Sequence, residues 1–583
     1  MVFIKKNHLI ISLLCGILLT IPILIFLFPI ISSGPNTILP GDYDMQVQMT
    51  EAARKTILEY KQFPWFNPWV SGGVPLFADP QFGLFSAQTL FALLFGSIIG
   101  WKIYIVLVFI VGFFGFAKLL KYLAKPNNKV DLLWLYVLSY AWIMNSFFVL
   151  RSGGHLTFML LHLLPWVLYF YFSRDRSKKL NLLLISTLVY LIYSAVHYPT
   201  IIIFIVLLFF YTYDFLLLAL IHKDKKRTLI KHIKFGIYTF GSVFILSIPR
   251  IVFTLEYLTR NSVKRLVYEK FIGFKEVFVS IFTPPKLNLA APNHYTWGPF
   301  EASAYSGILI FVFLIILFVF ASFKFKKINK INPYIFPITY LSIISVAIGS
   351  GGVLFWILQK FPIFSSMRVS TRWFFVATTS FILLLYIGLN IYAKRLTLLK
   401  TWAMIVMAIV FFVEVFAFNG MLLRDVWDKN KLVLIYDVQN NSSETIEQEA
   451  LWAPNNEIST NDKLKITYFA LTQATMLNKG QVIADNALVD TRFILTNRCD
   501  KDEIGCGFIT SNNGVVTYWS PNKIIINRTA PGEIKINVNL GRHWSINSRD
   551  VDNNKLVDTV NSLTIPDNNS QTYILTYNPL LNP

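Results

Sequence analysis

Residues 101–123 read WKIYIVLVFIVGFFGFAKLLKYL, and this stretch decides the fold class. Apart from Lys102 near its start, it is apolar up to Lys118, and it is long enough to cross about 30 Å of hydrocarbon as a helix. Similar blocks recur along the chain of 583 residues, of which 55% are hydrophobic and 15% are charged. Soluble domains average about 25% charged residues. The sequence therefore predicts a polytopic α-helical membrane protein.

The apolar blocks predict about eleven membrane spans by the length criterion. The first runs from about His8 to Ile31, and we expect a retained helix because no small-residue cleavage site of a signal peptide is evident. The other blocks lie near residues 101–123, 131–150, 156–172, 180–196, 199–221, 235–253, 303–322, 333–350, 371–393 and 401–420.

Lysine and arginine predict the orientation of these spans. Basic clusters follow the second, fourth, sixth, eighth and tenth blocks, so all of them fall on one side of the membrane. Under the positive-inside rule that side is the cytoplasm, and the N-terminus is cytoplasmic. The long connections 32–100, 254–302 and 351–370 then lie outside, together with the tail. Because the net charge of +21 sits largely in short loops, it indicates topology and argues against nucleic-acid binding.

The predicted domains are a transmembrane domain, residues 1–420, and an extracytoplasmic β-rich domain, residues 421–583. The tail is polar, and segments such as 463–469, 523–527 and 533–538 alternate as β-strands do. Cys499 and Cys506 lie close together in it and could form a disulfide in an oxidising compartment. Two free thiols remain the alternative.

The first outer loop, residues 32–100, carries the most informative motifs. GDYDMQVQ runs from Gly41 to Gln48, FPWFNPW from Phe63 to Trp69, and GGVP occupies residues 72–75. A carboxylate at the bilayer edge can act as a general base on a sugar hydroxyl, and it can hold a metal ion where other oxygen ligands lie near. A solvated loop is the simpler interpretation of its charges. Residues 82–100 predict a short interfacial or re-entrant helix.

This arrangement resembles the GT-C superfamily of membrane glycosyltransferases, and most of all its YfhO-like bacterial branch. The matching residues, in chain order, are Gly41, Asp42, Asp44, Gln48, Pro64, Trp65, Asn67, Pro68, Gly73 and Pro75. Phe66, between Trp65 and Asn67, departs from the commoner Trp-Asn-Pro pattern. The motifs are moderately specific in this loop, and the similarity elsewhere is one of architecture.

The resemblance implies a polyprenyl-phosphate sugar as donor and an acidic residue of the first loop as catalytic base. That role falls to Asp42 first and to Asp44 second. Gln48, Trp65 and Asn67 are carried over as substrate-binding residues. The resemblance also implies a glycan or lipid acceptor and a bacterial inner membrane. It does not decide the cofactor: a divalent metal ion is compatible with the motif but is not required.

Cations on the outer side are candidates for binding the donor's phosphate, because a guanidinium can meet two phosphate oxygens at once. Arg151, Arg368 and Arg372 lie there against the positive-inside rule. His155 and His197 lie near outer helix ends and could bind a sugar or a phosphate. The alternatives are headgroup contacts, structural ion pairs, and histidines that only stabilise turns.

Two other functions remain open at this stage. A transporter or flippase of lipid-linked glycans would need ionisable residues near mid-membrane, and this chain has few beyond Glu414 in the last block. A non-catalytic envelope assembly protein would use the tail as a binding module and would need no acidic base in the first loop.

Overall fold

The computed structural model describes residues 2–35, 37–39, 42–67, 74–174, 177–221, 225–260, 273–285, 301–312, 315, 332–360, 369–393, 398–428, 433–434, 478–483, 487–493, 513–536, 544–547, 557–559, 562–565 and 571–579. Arg368, Cys499 and Cys506 lie outside these ranges. Asp42, Asp44 and Gln48 are placed by their backbone in a helix, and their side chains are outside the description.

The first part of the chain is helical. Its α-helices, in chain order, are α1 (Val2–Phe26), α2 (Phe28–Ile31), α3 (Asp42–Leu58), α4 (Ala87–Phe95), α5 (Ser97–Leu123), α6 (Lys129–Ile143), α7 (Ser146–Ser152), α8 (Leu164–Phe172), α9 (Lys178–Ser194), α10 (Tyr198–Ile221), α11 (Lys225–Arg260), α12 (Phe274–Phe282), α13 (Ile335–Gly349), α14 (Gly352–Gln359), α15 (Phe374–Ala393) and α16 (Leu398–Val426). Two 3₁₀ helices, Leu156–Leu163 and Ser370–Trp373, precede α8 and α15.

The strands are short in the first loop and longer in the tail. They are β1 (Thr37–Ile38), β2 (Phe66–Asn67), β3 (Val74–Pro75), β4 (Val433–Leu434), β5 (Asn478–Ile483), β6 (Ala487–Phe493), β7 (Gly514–Ser520), β8 (Lys523–Arg528), β9 (Ile534–Ile536), β10 (Trp544–Asn547), β11 (Val557–Thr559), β12 (Ser562–Ile565) and β13 (Thr572–Tyr577). Antiparallel pairing orders the two larger sheets β10-β13-β8-β7 and β11-β12-β9, and β1 pairs with β4. The predicted domain boundary at residue 420 falls inside α16.

The chain is a multi-pass membrane protein. Within the described residues, five helices are long and apolar enough to cross a bilayer, and up to seven spans result if each of two bent helix pairs is one span. The finer prediction of about eleven spans is not confirmed. Block 156–172 begins as a 3₁₀ helix, and α9, in block 180–196, has 17 residues.

Local capping breaks the block predicted as one span at 131–150. Asn145 ends α6 by donating a side-chain hydrogen bond to the Trp142 carbonyl at 2.6 Å, and its side-chain oxygen caps α7 at the Phe148 amide, 3.1 Å away. Helices α6 and α7 consequently meet at a bend of 40°. The end of α7, with Arg151 in its last turn, is buried inside the protein.

A single apolar core joins most of the helices. Four tryptophans, Trp101, Trp134, Trp142 and Trp373, are each at most 1% exposed within it. The predicted short helix in residues 82–100 is present as α4. Gly96, at φ 83°, a left-handed conformation that suits glycine, turns the chain between α4 and α5.

The end of the first loop is anchored on α11. The Arg250 guanidinium donates to the carbonyls of Asp79 and Phe82, both at 2.6 Å. The Asp79 carboxyl is buried, and burial raises its pKa to about 6, although the backbone N–H groups of Gln81 and Phe82 and the charge of Arg250 act in the opposite direction. The Asp79 side chain therefore favours the neutral form more in the folded protein than in the unfolded chain.

Asp79→Asn is expected to stabilise the protein at pH 8 by about 1–3 kcal/mol. The pKa of Asp79 is higher in the folded state, so its contribution to stability is present below the unfolded pKa of about 4 and is lost as the pH rises through about 6. Asparagine stays neutral and avoids this loss. Thermal unfolding in detergent at pH 5 and pH 8 measures the difference, which should shrink at pH 5. A variant that is less stable than wild type at pH 8 contradicts it.

Candidate functional site

One buried carboxylate joins three of the residues that the sequence singled out. Arg151 Nη2 lies 2.6 Å from Glu301 Oε2, and Arg372 donates to both carboxylate oxygens, from Nε at 2.9 Å and from Nη2 at 2.8 Å. His155 Nε2 lies 3.2 Å from Glu301 Oε1. We call Arg151, His155, Glu301 and Arg372 the arginine–glutamate cluster.

Three separate segments bring this cluster together. Arg151 lies in the last turn of α7, His155 follows it in a left-handed conformation at φ 50°, and Arg372 lies in the 3₁₀ helix that precedes α15. Glu301 begins a buried stretch that runs to Ser306. The bend at Asn145 sets the direction of α7, so the cluster depends on the break that the sequence analysis missed.

Hydrogen bonds hold the stretch from Glu301 onward between the helices. Thr371 Oγ1 donates to the Glu301 carbonyl at 3.1 Å, and the Oγ atoms of Ser146 and Ser303 lie 2.6 Å apart. Further along, Glu414 of α16 accepts the Tyr305 hydroxyl at 2.6 Å. Because backbone and side chains are both tied, Glu301 is presented to the two guanidinium groups in one fixed position.

The cluster is dry and faces aromatic rings. Arg151 is fully buried, Glu301 and Arg372 are each 5% exposed, and the His155 side chain is 21% exposed. The Phe158 ring centre lies 5.2 Å from the Arg151 guanidinium carbon and 4.5 Å from that of Arg372, and the Tyr198 ring lies 5.1 Å from Arg372. Cation–π attraction of this kind is strongest where water is excluded.

Electrostatics favour the ionised form of Glu301. Burial alone raises the pKa of this carboxyl, but the charges of Arg151 and Arg372 and the hydrogen bond from Arg372 outweigh burial and hold the pKa well below its usual range. Glu301 balances one of the two guanidinium charges. The arrangement is that of a preorganised cationic site in a low-dielectric setting, which suits an anionic ligand.

The chain that precedes α3 lies beside this cluster. A Cβ placed on Gly153 would lie 3.4 Å from Leu39 Cδ1, so Leu39 lies against the residue two positions after Arg151. Asp42, where α3 begins, is three residues further along, a reach of about 11 Å at most. Leu39 and Gly153, which are more than 100 residues apart in sequence, therefore lie close together in the structure.

The other predicted site residues lie at different distances from the cluster. His197 borders it: its Nδ1 is 3.4 Å from Thr157 Oγ1, and its ring centre is 5.9 Å from that of Phe158. Trp65 packs instead against Phe77 and Phe253, and Asn67 is buried in β2. Those two residues belong to the region where the first loop meets the tail strands, and their substrate-binding role stays a prediction.

Glu301 is the functional candidate that sequence reasoning passed over. In the sequence it lies near the end of the predicted outer connection 254–302, which carried no assigned site residue. The sequence did contain an indication of its role. Glu301 is an acidic residue directly before an apolar block, and it lies on the same predicted side of the membrane as the three outer arginines. Within the part of the chain that is described, no three His, Cys, Asp or Glu side chains come together as a metal site.

Comparison with known proteins gives weak structural similarities, among them two to membrane transferases. No protein-family model matches the chain. A search of the curated proteins finds no match either. The cryo-EM structure of the arabinofuranosyltransferase AftD from Mycobacteria aligns at 12% identity and a TM-score of 0.41, covering 70% of this chain and 27% of that one. The archaeal oligosaccharyltransferase AglB from Archaeoglobus fulgidus, in complex with an inhibitory peptide and a dolichol-phosphate, aligns at 14% identity and a TM-score of 0.42.

The AglB alignment covers 70% of this chain and 55% of AglB, so the chain spans less than two thirds of either structure. Both proteins are transferases by name. At TM-scores below 0.5 these similarities carry no argument about function.

Proposed function

We propose that this chain is a membrane glycosyltransferase of the GT-C type, which moves a sugar from a polyprenyl-phosphate donor to an extracytoplasmic glycan or lipid acceptor. The observation that carries the proposal is the arginine–glutamate cluster, with Leu39, three residues before α3, next to Gly153. A buried cationic site and a pair of acidic residues, Asp42 and Asp44, are the two chemical parts that such a transfer needs. Their approach is supported by the contact of Leu39 with Gly153.

In the proposed reaction the donor's phosphate is bound by Arg151 and Arg372, with His155 at the more exposed edge of the site. Asp42 accepts the proton of the acceptor hydroxyl. The acceptor oxygen forms a bond to the anomeric carbon, the bond from that carbon to the phosphate oxygen breaks, and the lipid phosphate leaves. The guanidinium groups stabilise the negative charge that grows on the leaving phosphate. No step is assigned to a metal ion.

The setting of the site supports a lipid-linked donor. The cluster lies at helix ends, and membrane helices such as α11 and α16 expose large apolar side chains, so a donor whose tail stays in the bilayer could present its phosphate there. The extracytoplasmic side is inferred from the lysine and arginine distribution. A bacterial inner membrane, an outer tail domain and a Cys499–Cys506 disulfide belong to the same proposal.

Sugar transfer in proteoliposomes tests the function. Polyprenyl-phosphate-linked hexoses and pentoses are supplied as donors, with a bacterial lipid and glycan extract as acceptor, and product is followed by mass spectrometry. Wild type should form product, and free polyprenyl phosphate should inhibit by competing with the donor. Arg372→Gln should raise the donor KM, whereas Lys523→Gln, which removes a charge on a tail strand, should not.

Two outcomes would argue against an enzyme. Movement of intact lipid-linked sugar between leaflets, without transfer by any donor, would favour a flippase. Neither transfer nor movement would favour an envelope assembly protein. If polyprenyl phosphate inhibits Arg372→Gln as strongly as it inhibits wild type, the cluster does not bind the donor's phosphate. This conclusion would hold even if sugar transfer is observed.

A further inference from the structure

Among the described residues, the buried core of the tail strands includes Phe66 from the first outer loop. Phe66 is 2% exposed, and its ring centre lies 5.4 Å from that of Trp544 and 4.8 Å from that of Tyr577. Every other buried member of this apolar cluster, within the described residues, lies between Val516 and Tyr577. Phe66 therefore completes a core that belongs otherwise to the tail.

Polar contacts next to Phe66 fix the same segment to the turn between β7 and β8. Gln62 Nε2 donates to Ser520 Oγ at 2.9 Å, and Asn522 Nδ2 donates to the Phe63 carbonyl at 2.8 Å. The backbone N–H of Asn522 also donates to Gln62 Oε1 at 3.3 Å. These bonds join residues about 460 apart in sequence, and they set the register between loop and sheet.

The chain before α3 is held by the tail as well. Strand β1 pairs with β4 in antiparallel register, Thr37 with Leu434 and Ile38 with Val433. Lys102 of α5 supports this pairing from the side by donating to Thr37 Oγ1 at 2.9 Å. The tail thus contacts the first loop on both sides of α3, four residues before its start and four residues after its end.

We propose that the tail holds α3 at both ends, and that Phe66 is a positioning residue for the acidic first turn of α3. The inference rests on the proposed function for its catalytic consequence. Helix α3 has 17 residues, so it is a rod of about 26 Å, and a shift at its C-terminal end moves its first turn. A displacement of about 1 Å at a reacting group can lower a rate about 100-fold.

Phe66→Ala tests this with two independent measurements. Hydrogen exchange of the α3 amides, followed by mass spectrometry, should become about tenfold faster or more as local opening becomes easier, while amides of Ser97–Leu123 keep their rates. The kcat of sugar transfer should fall by about 10- to 100-fold with the donor KM little changed. Phe66→Leu should restore most of both. Val515→Ala, which trims an apolar side chain 52% exposed on β7, is the matched control.

The exchange measurement decides the inference even if Phe66→Ala unfolds the tail. Faster exchange in α3 supports the proposal that the tail holds this helix, whether or not the tail strands also exchange faster. Unchanged exchange in α3 overturns it, because the helix is then held by the membrane domain alone. Wild type that transfers no sugar refutes the proposed function and leaves this structural result standing.

Discussion

Asp42→Asn is expected to lower the rate of sugar transfer by about 100- to 10,000-fold, the range that a general base contributes. An amide cannot accept the proton of the acceptor hydroxyl, so the attacking oxygen stays a poor nucleophile. The donor KM should change little, because Arg151 and Arg372 bind the phosphate in the proposed site. Asp44→Asn is the parallel variant, and the larger loss identifies the base.

The loss of rate can be separated from loss of structure. Asp42 is the first residue of α3, where a negative charge stabilises a helix by about 0.3–1 kcal/mol and asparagine is itself well tolerated at a helix start. Thermal unfolding in detergent should therefore be nearly unchanged. Glu59→Gln, at an exposed position directly after α3, is the control for removing a carboxylate. Equal transfer by wild type and both Asp variants would remove the first loop from the chemistry.

Glu301→Gln is expected to cost about 3–5 kcal/mol of stability, the usual penalty for breaking a buried ion pair from one side. Two buried guanidinium groups would lose their shared carboxylate while the protein around them stays dry. Sugar transfer should fall with it, because the spacing of Arg151 and Arg372 is set by Glu301. Chemical unfolding in detergent at pH 7 measures the stability.

Asp214→Asn is the matched control, because Asp214 also pairs with an arginine, Arg174 at 3.1 Å, with its side chain 29% exposed. This pair is only part-buried, and Asp214 also accepts the Tyr171 hydroxyl at 2.7 Å, so that variant should lose less stability than Glu301→Gln. A Glu301→Gln protein within about 1 kcal/mol of wild type would show that the cluster does not hold the helices together.

The contribution of ionised Glu301 should also appear in the pH dependence of the protein's stability. The pKa of Glu301 is held below its unfolded value by Arg151 and Arg372, although burial acts the other way. Its contribution is therefore complete above the ordinary carboxyl pKa of about 4.3 and is lost as the pH falls towards the folded pKa. Wild type should lose stability between about pH 4.5 and pH 3 more steeply than Glu301→Gln.

The helical blocks were predictable because crossing hydrocarbon makes a demand on every residue in a window of about 20. The breaks within these blocks were not predicted, because hydrophobicity averaged over a window does not reveal a single capping residue. Asn145 ends one helix and starts the next with its own side chain. Gly351 and Gly352, at φ 75° and 68°, turn α13 into α14 at 88°. Both breaks follow from local side-chain or backbone chemistry.

Three residues of the candidate site had been singled out from the sequence. Arg151 and Arg372 were selected because basic residues on the outer side contradict the positive-inside rule, and His155 because it lies near an outer helix end. The structure brings these three together. The ion-pair alternative considered for the arginines is also realised, on Glu301. Phe66 was noted only as a departure from a motif, and its contact with Trp544 gives that departure a structural reason.

By itself, the sequence determined the membrane class, the approximate places of the apolar helices and the cations worth attention, because hydrophobicity and charge are properties of local segments. Only the tertiary structure decided that Glu301 joins Arg151 and Arg372, which lie 150 and 71 residues away in sequence. It also decided that Phe66 completes the core of the tail. An ion pair or a core contact depends on which distant segments pack together, and no local pattern encodes that choice.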